Sequence, residues 1–284
     1  MQSLWMIAAS FSFALMGVFV KLASAMFSAP EIVFYRSLVS VLIVLGLMRT
    51  RNVRVPTPHW RFQLVRSAAG FVSLLCYFYS VSMLPLALAA TLNYTSPLFL
   101  ALFLALFGKM NLKGPMIGSL VLGFLGVVLA LRPTFHGDQV IGGVVGLASG
   151  VLAGLAYYNV KELGERGEVE ERTVFYFALL STVCSGTWMA FSNLHPIDGR
   201  GGLLLLGVAF FGTAGQLAMT RAYKRGNVLV SASLAYSTVI FASLFGMLFW
   251  QDTLSAATWA AVALIVASGL VATWFSRANP AEQD

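Results

Sequence analysis

The sequence predicts an all-α membrane protein with ten transmembrane helices arranged as two inverted five-helix repeats. Three observations carry that expectation. Of 284 residues, 58% are hydrophobic and 10% charged, with a mean hydropathy of +0.82, whereas an ordinary soluble domain has about a quarter of its residues charged. Long intervals without Asp, Glu, Lys or Arg recur from end to end. A polar cluster inside one of them, residues 92–99, returns 142 positions later at residues 234–241.

The charge-free intervals give the spans in order: residues 6–20, 37–48, 67–108, 114–131, 139–160, 173–197, 201–220, 226–251 and 253–276. Most are close to the roughly 17 to 25 residues that cross a hydrocarbon core of about 30 Å. The second becomes a full span only if it starts near Ala29 and carries Arg36 into the membrane. The interval 67–108 is too long for one crossing, and Pro85 marks a tight turn between two helices, because proline removes a backbone donor and ends a helix. The total is then ten. The first run lacks a basic leader and further spans follow, so it is expected to stay as a span rather than serve as a signal peptide.

Charge in the connections orients the bundle. With the N-terminus inside, the inner side holds Arg49, Arg51, Arg54, Arg61, Arg66, Lys109, Lys113, Lys161, Arg166, Arg172, Arg221, Lys224, Arg225 and Arg277, and the outer side only Arg132 and Arg200. Short loops rich in Lys and Arg are retained in the cytoplasm, so both termini are expected there. The same bias accounts for a pI near 9.6. It makes the lipid bilayer the partner and leaves no reason to invoke nucleic acid.

The echo extends beyond the polar cluster. Val20-Lys21 matches Val160-Lys161 at an offset of 140, and Ser10 and Ala14 match Gly150 and Gly154. Val33-Phe34-Tyr35 matches Val174-Phe175-Tyr176 at 141, and from Gly70 and Gly212 onward the offset holds at 142. The single-residue drifts fall in loops, which tolerate insertions. Residues 1–137 and 138–284 are therefore expected to be two copies of one unit. With five helices each, the second copy enters the membrane inverted, an arrangement that secondary transporters use to enclose a midplane site and expose it alternately. Small-residue stripes, Gly142, Gly146, Gly150 and Gly154 in the sixth span and Gly114 and Gly118 matched by Ala256 and Ala260 in the fifth and tenth, predict close helix packing and leave a homodimer open.

The residues expected to carry function follow from depth and polarity. Arg36 lies about seven residues into the second span, roughly 10 Å below the outer surface at about 1.5 Å per residue, where a charge needs a wet cavity or a partner. Glu31, a turn above, is a candidate partner or gate. Lys21, near the outer end of the first span, could equally reach the interface by snorkelling. Asn93, Tyr94, Thr95 and Ser96 lie at the middle of the fourth span, and Tyr236, Ser237 and Thr238 at the middle of the ninth. They offer hydrogen bonds without a charge, or else bond back to their own helix. Pro97 frees a carbonyl and bends the fourth span. Tyr157 and Gln216 are candidates for the same cavity. Two cations without a mid-membrane acid favour an anionic or zwitterionic solute.

Catalysis has little support, since His59, His136 and His195 fall in loops and no nucleophile stands beside a base. Cys76 and Cys184 sit in different halves and form neither a disulfide framework nor a metal knuckle. No cofactor or metal is expected.

Glu-Ile-Val-Phe-Tyr-Arg-Ser-Leu at residues 31–38 and Leu-Pro-Leu-Ala-Leu-Ala-Ala-Thr-Leu-Asn-Tyr-Thr-Ser-Pro-Leu-Phe at residues 84–99 resemble the EamA type of the drug/metabolite transporter superfamily. The resemblance covers nearly the whole chain. It implies ten helices and transport of a small metabolite across the bacterial inner membrane. The Gly-Glu that such proteins often carry at the ends of the fourth and ninth helices reads Gly108-Lys109 and Gln251-Asp252 here, which leaves Asp252 as a coupling candidate. The expectation is a secondary transporter, in the export direction, moving a small polar anionic or zwitterionic metabolite by alternating access. A non-transporting membrane scaffold or sensor subunit is the competing reading.

Overall fold

Inside a bilayer every backbone polar group must be satisfied within the protein, and the chain meets this requirement with helices. The computed structural model describes residues 2–84, 86–107, 114–131, 140–191, 194–251 and 256–278, and no strand occurs among them. After a 3-10 turn at Gln2–Leu4 come α1 (Trp5–Ala23), α2 (Ala29–Thr50), α3 (Trp60–Met83), α4 (Leu86–Asn93), α5 (Ser96–Leu106) and α6 (Gly114–Leu131). Then follow α7 (Val140–Glu165), α8 (Glu170–Met189), α9 (Gly199–Arg225), α10 (Val228–Ala235), α11 (Ser237–Trp250) and α12 (Ala256–Ala278). Among the described residues, seven segments are long and apolar enough to cross a membrane, two of them being the pairs α4–α5 and α10–α11 taken together. Shorter apolar stretches occupy α6 and α12, and α8 carries Glu170, Glu171 and Arg172 in its first turn. Pro85, Lys109, Lys113, Arg132, His136 and Asp252 lie outside the described residues.

Local chemistry sets the helix ends. α2 starts at Ala29, where Ser28 and Glu31 form a capping box that satisfies the first-turn donors. α3 stops at Met83, and Leu84 is extended at φ −122°, ψ 157°, the conformation a following proline imposes. Asp198 caps α9 by accepting from Gly201 N at 2.6 Å, and Asn227 caps α10 through Leu229 N and Val230 N at 3.1 Å each. Between α7 and α8 the chain reverses at Gly167, whose φ of 72° suits a residue without a side chain.

Both halves of the echo are broken helices. The fourth span is interrupted between α4 and α5 and the ninth between α10 and α11, at matching places. Thr95 Oγ1 donates to Leu92 O at 2.5 Å, and its counterpart Ser237 Oγ donates to Leu234 O at 2.6 Å. These hydroxyls add a second donor at the carbonyls beside the interruptions, where Thr95 N also donates to Leu92 O at 3.2 Å. Pro97 contributes only in the first copy, at the start of α5. The second break forms without a proline.

Packing follows matched pairs. α3 lies along α7 and α1 along α9; α5 meets α7 and α11 meets α1; α2 pairs with α8 and α6 with α12. Lipid is as apolar as the side chains, so close packing and interhelical hydrogen bonds hold such a bundle. The glycine stripe of α7 supplies the closest approach. A Cβ on Gly150 would sit 2.2 Å from Thr95 Oγ1 and 2.6 Å from Leu92 O, and one on Gly154 would meet Leu100 N at 3.0 Å. α7 thus receives the break between α4 and α5. At the matching place on α1, Ser10 Oγ reaches Leu234 O and Ala235 O at 3.5 Å. The other stripe behaves differently. A Cβ on Gly114 or Gly118 would meet nothing within 4 Å, and Ala256 and Ala260 are exposed, so this stripe faces outward. Gly123 and Gly126 make the close contact between α6 and the second half instead, against Tyr236 and Ile265.

One end of the bundle is tied by charge. Lys224 Nζ, at the end of α9, donates to Val169 O at 3.0 Å and Thr173 Oγ1 at 2.6 Å. Around it Glu168 pairs with Arg172, Glu170 with Arg225 and Glu171 with Arg51, and Thr57 donates to Glu168. Burial alone would raise the Glu168 carboxyl, but the bond from Thr57, the Arg172 guanidinium and the Val169 amide together hold it below its ordinary value.

Two stability predictions follow from these contacts. Gly150→Ala should lower stability by about 1–3 kcal/mol through overpacking, visible as a lower unfolding temperature in detergent, whereas Gly17→Ala, with nothing within 4 Å, should leave it unchanged. Because the folded pKa of Glu168 is depressed, its contribution is present above the ordinary carboxylate value and is lost as pH falls through the folded one. Glu168→Gln should accordingly be less stable than wild type at neutral pH, with the difference shrinking as pH falls below the ordinary carboxylate value and through the lower folded one.

Candidate functional site

A cavity of about 280 Å³ lies where α1, α2, α3, α7, α8 and α9 converge on the two helix breaks. Its walls mix three kinds of side chain. Arg36, Arg66 and Gln216 form a charged and amide wall; Tyr77, Asn93, Tyr94 and Thr238 come from α3 and the breaks; Phe13, Met16, Phe177 and Met219 are apolar. Tyr157 and Tyr223 close another side as a stacked pair with centroids 5.1 Å apart.

Arg66 is the most constrained of the polar groups. It is 2% exposed, its guanidinium lies 4.2 Å from the centroid of the Phe177 ring, and Nη2 donates to Gln216 Oε1 at 3.1 Å. A desolvated cation over an aromatic face gains about 2 kcal/mol, less than the cost of burying an unpaired charge. Nε and Nη1 are buried without a hydrogen-bond partner. Arg36 enters from α2, and its Nε would lie 2.9 Å from a Cβ on Gly212, so the glycine makes its room. Arg36 and Arg66 line the same cavity. Among the described residues, no acidic side chain lines the cavity and none forms an ion pair with either arginine.

The structure brings together Arg36, Asn93, Tyr94, Ser96, Tyr157, Gln216 and Thr238 of the residues singled out from the sequence. Asn93 is oriented by its Nδ2, which donates to Ser149 Oγ at 3.1 Å. The other candidates have different places. Thr95 and Ser237 do not line the cavity, and their hydroxyls serve the helix breaks. Tyr236 is fully buried behind the cavity with Val127, Val239 and Ile265, and its hydroxyl has no partner among the described residues. Lys21 is exposed near the end of α1. Glu31 is no partner of Arg36: it accepts from Ser28 N at 2.8 Å and Ser28 Oγ at 2.7 Å, and from His195 N at 2.8 Å. It ties the start of α2 to the segment before α9. Asp252 lies outside the described residues.

Arg66 is the site residue that loop charge conceals. It stands next to the interval that begins at Ser67 and close to Arg61, a position that counts as inner loop in the charge pattern, whereas α3 begins at Trp60. The signal that points to it is the polar and small series Gln63, Arg66, Gly70, Ser73 and Tyr77, spaced three to four residues apart as one helix face.

Known proteins agree with this architecture. The model of the EamA-like transporter family matches residues 1–132 and 140–274. The pseudopaline exporter CntI of Pseudomonas aeruginosa is 34% identical over 258 residues, covering 91% of this chain and 90% of the relative. An uncharacterized transporter of Helicobacter pylori is 27% identical over 273 residues, 93% of this chain and 91% of the relative. A solved crystal structure superposes with a TM-score of 0.84 at 20% identity, over 97% of this chain and 98% of the other, which establishes the likeness of fold. The chain belongs to the EamA-like transporter family.

Proposed function

We propose that the chain is a ten-span secondary carrier of the bacterial inner membrane that exports a small anionic or zwitterionic metabolite by alternating access. The carrying observation is the pair of arginines in a central cavity without an acidic partner. Buried charge is tolerated where it faces a ligand or water, and here the substrate supplies the counter-charge. The matched helix pairs and matched breaks support reading residues 1–137 and 138–284 as inverted halves around that cavity. Loop charge supports placing both termini in the cytoplasm, with the Lys224 network at the cytoplasmic end. Opening inward then requires the ties among Arg51, Glu168, Glu171 and Lys224 to separate.

Export is supported in two ways. A relative alike over nearly its whole length is named an exporter. The sign of the site also favours it: an anion leaving an inside-negative cell gains about 2.3 kcal/mol per charge per 100 mV. Export of an anion therefore needs no coupling ion. The transporter reading also explains the lack of an acid in the cavity better than a scaffold or sensor would, since a passive subunit gains nothing from two unneutralised cations in its interior.

In a strain lacking the gene, comparing the metabolites of cells and medium identifies the exported solute, and wild-type chain restores its excretion. Arg36→Gln should reduce that excretion about ten- to hundredfold, since a charged hydrogen bond contributes about 1.5–3 kcal/mol; full restoration by the variant would contradict the assignment. Tyr94→Phe and Tyr236→Phe should differ. The first removes a hydroxyl at the cavity and should slow export several-fold, while the second removes a buried hydroxyl without a partner and should leave export and stability close to wild type.

A further inference from the structure

The two arginines occupy corresponding corners of the two halves. Gly70 of α3 and Gly212 of α9 are counterparts at an offset of 142, and Phe177 of α8 is the counterpart of Arg36 of α2 at 141. Where α3 meets α8, Gly70 makes room for Phe177 and Arg66, with its Cβ position 3.2 Å from the Phe177 ring and 3.3 Å from Arg66 Nη1. Where α9 meets α2, Gly212 makes room for Arg36. One cation therefore stands in each corner, and the apolar side chains of Phe13, Met16 and Met219 line the space with them.

The corners are alike in position and unlike in construction. Arg66 is held before any ligand arrives, by Phe177 and Gln216, and keeps two buried nitrogens without partners. No hydrogen bond or ring contact holds the Arg36 guanidinium among the described residues, and it borders the sulfur of Met16 beside Gly212. A monoanion would neutralise one arginine and leave the other without a counter-charge. A zwitterion would bring a cation into the same field. A single phosphate would have to divide its oxygens between both guanidiniums, whereas two carboxylates give each its own planar, bidentate partner.

Resting on the reading of the cavity as an anion-transport site, we propose that its substrate carries two separate acidic groups, one for each guanidinium, joined by a largely apolar spacer. Arg66 provides the fixed anchor and Arg36 the second contact. The substrate class is a dicarboxylate or a compound with two carboxylate arms.

The test is ligand-induced thermal stabilisation of the full chain in detergent at constant ionic strength. The probes are malonate, succinate, glutarate, adipate and pimelate, with butyrate and inorganic phosphate as controls. One length in the series should bind about tenfold or more tightly than butyrate or phosphate, as expected for a second charge-assisted contact. Arg36→Gln and Arg66→Gln should each reduce that dicarboxylate to the level of butyrate, and Arg66→Lys should restore part of the difference. The wild-type series alone decides if a variant fails to fold. Equal binding of butyrate or phosphate, no preferred length, or no binding of any dicarboxylate would overturn the proposal. Loss of excretion in Arg36→Gln alongside equal binding of mono- and dicarboxylates would retain the anion carrier and reject only the two-group substrate.

Discussion

Two positive charges that no acidic side chain among the described residues neutralises set the terms for the rest of this molecule. A guanidinium in a medium of low dielectric costs several kcal/mol unless it is paired or wet, and the cation–π contact and single amide bond at Arg66 recover only part of that. On the proposed reading, the counter-charge comes from an anionic substrate. Stability and the proposed function then pull against each other: an acidic residue in the cavity would stabilise the fold and take the place proposed for the substrate.

The architecture keeps such a site open without losing the bundle. Helix breaks at the cavity interrupt the backbone ladder in a region where no water is guaranteed, and the hydroxyls of Thr95 and Ser237 add donors there. The breaks then dock on α7 and α1, the first through the glycine stripe, where backbone meets backbone. At the charged end, by contrast, acids and bases are concentrated into pairs around Lys224. Charge is paired at that end of the bundle and left single in the cavity among the described residues.

Much of this is legible in the sequence, for physical reasons. The exclusion of charge from lipid marks the spans, and the offset near 142 is accompanied by matched helix pairs and matched helix breaks in the structure. Arg36 is legible because it stands alone within an apolar run. Arg66 is not, because the same residue type in a loop and in the first turns of a helix looks identical until the helix start is known. The equivalence of Tyr94 and Tyr236 in sequence likewise conceals their different fates. Spacing gives the face of a helix but not which way it points, so Tyr236 lies behind the cavity and the stripe of Gly114 and Gly118 faces outward. Thr95 and Ser237 look like ligands in an unbroken helix, whereas in the broken ones their hydroxyls donate back to Leu92 O and Leu234 O.

The sign of the cavity is the claim on which the rest depends, and it can be measured directly. With Cys76 and Cys184 replaced, a single cysteine at Thr238 can be modified in membranes by an anionic and a cationic methanethiosulfonate reagent, with rates normalised to a free thiol. Two unneutralised arginines should make the anionic reagent faster by about tenfold or more, with the ratio falling on Arg36→Gln. A cationic reagent that reacts as fast as the anionic one would contradict the account.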